Sequence, residues 1–230
     1  MTSVETASSP RTEDRSANKA GDSSLTVRRL GEVPYVETWE AMKAFTAARN
    51  ERTDDEIWLL EHHPVYTYGV AGRPERLPHD TPIPVLKVDR GGQVTYHGPG
   101  QLVAYVLLNL RRRGMSVRGL VRTLEQAVID LLQDFGVAAD RRVDAPGVYV
   151  NGAKVAALGL RIKNGCSYHG LSLNVDMDLA PFAAIDPCGY PGMAVTQLRE
   201  LGVAGPLAKI GERLLSKLVE QLEFEHERSR

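Results

Sequence analysis

Two Asn-Gly dipeptides divide the most strand-like part of the chain. Asn151-Gly152 and Asn164-Gly165 each lie between runs that are rich in apolar and β-branched residues. Asn-Gly is a favoured pair for a two-residue hairpin turn, because both central residues of that turn need positive φ. The sequence therefore predicts three antiparallel strands joined by two hairpins, at residues 148–150, 155–162 and 167–175.

The remaining apolar runs complete the predicted fold. Short runs predict four more strands, at residues 56–61, 65–68, 83–88 and 102–108. Helical spacing predicts three helices, at residues 34–50, 118–135 and 207–224, and Gly136 is a stop signal after the second. The strands come in hairpin-linked groups rather than in βαβ alternation. We therefore expect an α+β fold with a mixed, largely antiparallel sheet and flanking helices.

The bulk composition predicts one folded domain. The chain has 230 residues and 43% hydrophobic content, which suffices for one sizeable core. Residues 1–24 are mostly Ser, Thr, Ala and charged residues without apolar periodicity. Such a segment cannot bury enough surface to offset the entropy of ordering, so we expect a disordered N-terminal extension and a single domain at residues 25–230.

Charge and hydropathy argue against several functional classes. The net charge is −1, from 28 basic and 29 acidic residues, so no overall field draws this chain to nucleic acid or to an anionic membrane. The local run Arg111-Arg112-Arg113 is interpreted as a solvated loop. No run approaches the roughly 20 apolar residues of a membrane span, and the N-terminus lacks a signal-peptide core. These features predict a cytoplasmic protein.

The two cysteines, Cys166 and Cys188, have different surroundings. They are too few for a disulfide framework and form no Cys-x-x-Cys metal motif. Asp176 and Asp178 form an isolated acidic pair, so no metal is expected. Prolines and glycines frame Cys188, which is typical of a rigid loop that presents a side chain to a ligand. Cys166 occupies a hairpin turn, where we expect no function.

A thiol at position 188 needs a partner to act as a nucleophile. The ordinary pKa of a cysteine is about 8.5, so little thiolate exists at neutral pH. A nearby lysine or histidine lowers that pKa, and the residues alone leave three candidates, Lys154, His97 and His169. Lys154 follows an Asn-Gly turn and begins an otherwise apolar strand, while each histidine precedes a glycine.

The segment at residues 90–101 is unusually rich in glycine. It reads Arg-Gly-Gly-Gln-Val-Thr-Tyr-His-Gly-Pro-Gly-Gln and precedes an apolar run. Glycine allows positive φ and a close approach of the backbone to a ligand. The segment is typical of a groove lined by backbone N–H groups, and the alternative is an ordinary tight hairpin.

This glycine-rich segment resembles the signature of the lipoate-protein transferase family, the octanoyl-[acyl carrier protein]:protein N-octanoyltransferases. Further matches follow in the family's order, at Glu61-His62-His63-Pro64, residues 154–159, His169-Gly170-Leu171 and Pro187-Cys188-Gly189. Together they cover roughly residues 25 to 205. The resemblance implies a fold shared with lipoate-protein ligases and with the catalytic module of biotin protein ligases.

The resemblance also implies roles for particular residues. Cys188 would form an acyl-thioester, and Lys154 would lower its pKa and shuttle protons. The substrate-binding walls would contain Arg90, Gly91, Gly92, Gln93, Val94, Thr95, Tyr96, His97, Ala157, Leu158, Gly159, His169, Gly170 and Leu171. Apolar residues among and beside these are candidates for an acyl tunnel, namely Leu158, Leu160, Val94, Tyr96 and Val103.

The implied reaction is octanoyl transfer from octanoyl-acyl carrier protein to a lysine of an apo lipoyl domain. The implied acceptors are the lipoyl domains of 2-oxoacid dehydrogenase complexes and the glycine cleavage H protein. A thioester donor is already activated, so no cofactor is expected, and we expect a monomer. The alternatives are an ATP-dependent lipoate or biotin ligase, which needs no cysteine nucleophile, and a non-catalytic module that binds carrier or lipoyl domains.

Overall fold

The computed structural model describes residues 13–16, 24–72, 81–185 and 193–228, and eleven strands within these ranges form two sheets. The larger sheet has eight strands, in the spatial order β1 (Glu13–Ser16), β2 (Leu25–Val33), β3 (Asp55–His62), β7 (Gln101–Leu107), β11 (Cys166–Asn174), β10 (Ala153–Lys163), β9 (Gly147–Val150) and β8 (Asp140–Arg141). Its neighbouring strands are antiparallel, except that β2 and β3 are parallel.

The smaller sheet has three strands, in the order β5 (Val85–Lys87), β4 (Val65–Tyr68) and β6 (Val94–His97). Its last strand lies within the glycine-rich segment. The described helices are α1 (Tyr35–Ala48), α2 (Val117–Asp134) and α3 (Leu207–Arg228), with 3₁₀ turns at Ala180–Ala184 and Leu198–Leu201. None of the helices in the described ranges has both the length and the apolar character needed to cross a membrane.

Alternation along β3 shows how the larger sheet separates two apolar layers. Ile57 and Leu59 belong to the main core, which contains the buried faces of α2 and α3. Trp58 and Leu60 point to the opposite face and pack with Met42 of α1. Successive side chains of a strand point to opposite faces, so one strand supplies both layers. The predicted mixed, largely antiparallel sheet with flanking helices is confirmed.

Both predicted hairpins are present. Asn151 and Gly152 have φ of 49° and 84°, and Asn164 and Gly165 have φ of 53° and 79°, as a turn of this kind requires. The prediction that Cys166 occupies the turn was wrong. Cys166 is the first residue of β11, where it is buried and pairs with Lys163. The two-residue turn ends at Gly165, so the strand resumes at the next residue.

A buried ionic cluster closes the end of the larger sheet where β3 begins. Asp55 is fully buried, and its carboxylate forms ion pairs with Arg113 Nε at 2.5 Å, Arg112 at 2.8 Å and Arg49. The cluster joins the end of α1 to the loop after β7. The interpretation of the arginine run as a solvated loop was therefore wrong for Arg113, which is 5% exposed, because a buried carboxylate binds it.

The N-terminal segment contributes one described strand. Glu13–Ser16 pairs with residues 25–28 of β2 at the edge of the larger sheet. The rest of residues 1–23 lies outside the described ranges. The predicted boundary at residues 24 and 25 stays a prediction.

Candidate active site

A cleft opens where the glycine-rich segment meets the β10–β11 hairpin. It encloses about 730 Å³, counted out to its open mouth. Its described lining comprises Tyr35, Arg90, Gly92, Gln93, Val94, Thr95, His97, Val103, Tyr105, Lys154, Ala156, Ala157, Leu158, Gly159, His169, Gly170, Leu171, Ser172, Asn174, Phe182 and Val195.

Most of the predicted binding residues lie in this lining, and two do not. Tyr96 packs its ring against Tyr66 and Phe182 in a separate apolar cluster. Gly91 instead donates its N–H to the carbonyl of Leu160 at 2.8 Å. Leu160, a predicted tunnel residue, packs against the main core and does not line the cleft. That these residues bind a substrate stays a prediction.

Arg90 shapes the glycine-rich wall from inside. Its guanidinium donates to the carbonyl of Thr67 at 2.8 Å and to the carbonyl of Gly91 at 2.9 Å, so it curls the segment back onto β4. A Cβ at Gly159 would lie 3.0 Å from the Arg90 side chain. The glycine at position 159 therefore lets β10 pass close to this arginine.

Lys154 lies on the opposite wall, at the start of β10. The residue is 3% exposed, and its Nζ donates to the carbonyl of Pro146 at 3.2 Å. Its Nζ also lies 5.1 Å from the centre of the Tyr149 ring. Its backbone N–H donates to the carbonyl of Ala194 at 2.8 Å, which ties β10 to the segment that begins at residue 193.

A chain of amides fixes the tautomer of His97. Asn174 Nδ2 donates to the carbonyl of Thr196, so its Oδ1 accepts from Gln101 Nε2 at 3.0 Å. Gln101 Oε1 then accepts from His97 Nδ1 at 2.7 Å. The proton of a neutral His97 therefore sits on Nδ1. Burial lowers the pKa of His97 to about 3, so the ring is uncharged at neutral pH.

His62 stands behind this wall and was not predicted as a site residue. Its Nδ1 donates to the carbonyl of Val33 at 3.0 Å, so its Nε2 accepts from the Tyr105 hydroxyl at 2.6 Å. Burial lowers the pKa of His62 to about 4. The ring packs 4.8 Å from Tyr35, whose pKa burial raises to about 12. Only the Glu-His-His-Pro match pointed here, because Tyr35 and Tyr105 have no sequence pattern that marks them.

Asp89 and His169 form a second polar pair at the cleft. Asp89 accepts from His169 Nε2 at 3.0 Å, from Trp39 Nε1 at 2.9 Å and from the Tyr168 hydroxyl. Burial alone would raise the pKa of Asp89, but these hydrogen bonds outweigh it and hold the pKa below its ordinary value. Burial lowers the pKa of His169, whose φ of 61° is rare for a non-glycine residue.

Cys188 falls outside the described residues, so its position relative to Lys154 stays a prediction. Within the described ranges, no three His, Cys, Asp or Glu side chains come close enough together to hold a metal ion. Cys166 lies at the start of β11 and does not line the cleft.

The family follows from a comparison of the whole domain. Residues 34–219 match the model of the lipoyl protein ligase A/B catalytic domain. The chain belongs to this family. The resemblance inferred from the glycine-rich signature is thereby confirmed.

Relatives in this family resemble the chain over most of its length. An octanoyltransferase of Aromatoleum aromaticum is 61% identical over 199 residues, which cover 86% of this chain and 86% of that protein. An octanoyltransferase of Thiobacillus denitrificans is 68% identical over 182 residues, 79% of this chain and 84% of that protein.

Solved structures of a lipoate ligase and of a biotin ligase share the fold. A lipoate-protein ligase A bound with ATP superposes with a TM-score of 0.68 at 16% identity, covering 84% of this chain and 83% of that one. The biotin protein ligase of Aquifex aeolicus gives a TM-score of 0.53 at 15% identity, covering 87% and 70%. The fold expected from the resemblance is confirmed.

Proposed function

We propose that this chain transfers an octanoyl group from octanoyl-acyl carrier protein to a lysine of an apo lipoyl domain, with Cys188 as the acylated residue and Lys154 as the proton carrier. The octanoyltransferase names of relatives at 61% and 68% identity support the reaction class. The acceptors would be the lipoyl domains of 2-oxoacid dehydrogenase complexes and the glycine cleavage H protein, and the enzyme would act as a monomer.

One observation carries the residue assignment. Lys154 is buried at the cleft wall, and both its backbone N–H and its backbone carbonyl form hydrogen bonds with the segment that follows Cys188 in the chain. Its N–H donates to Ala194, and its carbonyl accepts from Thr196 at 2.9 Å. Cys188 precedes Ala194 by six residues. This connection supports a role for the cysteine beside the lysine.

The proposed chemistry has two balanced steps. In the first, the neutral amine of Lys154 takes the proton of the Cys188 thiol, the thiolate attacks the donor thioester, and Lys154 returns that proton to the carrier thiolate as it leaves. In the second, Lys154 takes a proton from the incoming lysine amine, the amine attacks the acyl-cysteine, and the Cys188 thiol is released as the amide forms. A positioned base of this kind contributes roughly 10²- to 10⁴-fold to the rate.

The cleft wall suits an acyl chain. Val94, Val103, Leu158 and Phe182 supply apolar surface, and His97 is uncharged at neutral pH. Burial of each methylene contributes about 0.8 kcal/mol. An eight-carbon chain therefore gains substantial affinity without any charged contact.

Mass spectrometry of the acyl adduct and measurements of the acylation and transfer rates test this proposal. Cys188→Ala should abolish transfer and leave no octanoyl adduct, while the matched control Cys166→Ala should do neither. Lys154→Ala should slow acylation by roughly 10²- to 10⁴-fold. Lys154→Arg keeps a positive charge that stabilises the Cys188 thiolate but has no neutral form, so it should accumulate acyl-enzyme that it cannot pass to the acceptor amine. Normal turnover by Cys188→Ala, or an adduct on Cys166, would refute the assignment.

The choice of donor separates this function from its alternatives. The enzyme should use octanoyl-acyl carrier protein without nucleotide and in the presence of EDTA, because the thioester supplies the driving force. Strict dependence on free octanoate and ATP would instead indicate a ligase. Binding of lipoyl domains without any acyl transfer would indicate a non-catalytic module.

A further inference from the structure

Glu125 is a buried carboxylate that the proposed chemistry does not use. It lies on α2 and is 3% exposed, among helix neighbours Leu124, Ala127 and Val128 that are fully buried. An ionised carboxylate is costly to bury unless it is hydrogen-bonded. Its Oε1 accepts from the backbone N–H of Gly147 at 2.9 Å.

The same peptide group also contacts Lys154. The Gly147 N–H and the Pro146 carbonyl belong to one peptide unit, and that carbonyl accepts from Lys154 Nζ at 3.2 Å. A trans peptide is planar, and its N–H and C=O point in opposite directions. Glu125 therefore binds the positive end of this peptide, and Lys154 binds the negative end.

Gly147 leaves the space that this contact needs. A Cβ at this position would lie 3.0 Å from Lys154 Cε and 3.2 Å from its Nζ, and 2.7 Å from the Ala156 carbonyl. The Gly147 φ of 144° is also one that other residues rarely adopt. The lysine side chain thus lies directly against the peptide that the carboxylate holds.

We propose that Glu125 is a positioning residue that fixes the Pro146–Gly147 peptide, which in turn fixes the side-chain nitrogen of Lys154 at the cleft wall. Hydrogen bonds in such a chain polarise one another, because the peptide accepts from Lys154 Nζ at its carbonyl and donates to Glu125 at its N–H. The inference rests on the proposed function, in which Lys154 moves the protons.

Two substitutions separate the hydrogen bond from the charge. Glu125→Leu removes both and leaves the buried Gly147 N–H without this acceptor, so a modest loss of stability is expected beside the effect on rate. It should slow single-turnover acylation of Cys188 by roughly 10- to 100-fold with little change in KM, since misplacement of a reacting group by about 1 Å costs that much. Glu125→Gln keeps an oxygen that accepts from Gly147 and should retain most of the rate.

A matched control and a double variant show that the effect runs through the lysine. Thr123 lies on the same helix, is 5% exposed, and donates within α2, to the Gly119 carbonyl. Thr123→Val should leave the acylation rate unchanged. Glu125→Leu combined with Lys154→Ala should be no slower than Lys154→Ala alone, because Glu125 has nothing left to position. Thermal midpoints of all variants are measured in parallel.

The outcomes distinguish this inference from the proposed function. If Lys154→Ala is slow but Glu125→Leu acylates at the normal rate, or if the two effects multiply in the double variant, the positioning role is overturned and the proposed function stands. If Lys154→Ala itself reacts normally, the lysine assignment fails and the positioning role fails with it.

Discussion

At the level of single residues, the wall beside the cleft is built from histidines that stay neutral. Burial lowers the pKa of His62 to about 4 and that of His97 to about 3, and their rings lie 5.9 Å apart. Both accept or donate hydrogen bonds that suit one neutral tautomer. Protonation of either ring would therefore place a positive charge in a buried network whose hydrogen bonds suit the neutral ring.

This arrangement predicts acid sensitivity. The unfolded chain binds a proton at each histidine below about pH 6.5, whereas the folded chain does not until about pH 4 or lower, so the free energy of unfolding falls as the pH falls. We expect a loss on the order of 2 kcal/mol per histidine between about pH 7 and pH 5, measured by urea unfolding. Asp89 adds nothing in this window, because the ordinary pKa of an aspartate and the lower pKa of folded Asp89 both lie below pH 5.

His63 provides the control, since its side chain is 56% exposed. His63→Gln should keep the acid slope, while His97→Gln should remove about 2 kcal/mol of it and leave the contribution of His62. A stability that stays level across the same pH range, or a slope that disappears in His63→Gln, would contradict this account.

Single residues also mark how far sequence reasoning reached. Lys154 and the Arg90 segment were found because their matches are local in the chain. Tyr35 and Tyr105 were missed, since their place at the cleft comes from packing between distant elements. Leu160 was assigned to the tunnel by its apolar character, but it lies beyond the cleft along β10 and packs against the main core.

At the level of elements, β11 and β7 approach so closely that one position accepts only glycine. A Cβ at Gly170 would overlap the Ala104 carbonyl of β7, far inside van der Waals contact. Gly170→Ala should therefore force the strands apart and lower the free energy of unfolding by about 3 kcal/mol or more.

Gly136 gives the matched comparison. It has φ of 74°, and a Cβ added there would meet no atom within 4 Å, so Gly136→Ala adds backbone strain alone. That strain costs about 1–2 kcal/mol. Equal losses in the two variants, measured by urea unfolding, would show that the β7–β11 contact is not the constraint.

Elements divide cleanly into those that local chemistry predicts and those it does not. The Asn-Gly turns and the Gly136 stop need only their own residues, and both are confirmed. The order of strands in the sheets depends on contacts between distant residues, such as β3 with β7. No local pattern encodes that order, so the sequence predicted the sheet type and the two hairpins of β9, β10 and β11, but not the other neighbours.

At the level of the whole molecule, truncation tests whether the domain needs its N-terminal segment. Four residues of it pair with β2 at the sheet edge, and the family match begins only at residue 34. A chain that begins at Ser24 should keep its thermal midpoint and its transfer rate, because residues 1–24 lack apolar periodicity. A large drop in either quantity would show that the segment packs on the domain.

The Asp55 cluster and the histidine wall stand at opposite ends of the same strand. β3 runs from Asp55 to His62, a span of about 23 Å at the usual rise per residue. Three arginines hold one end, and the other borders the space where chemistry is proposed. Substitutions near His62 can therefore change the cleft while the arginine cluster at Asp55 still holds the other end of β3 in the sheet.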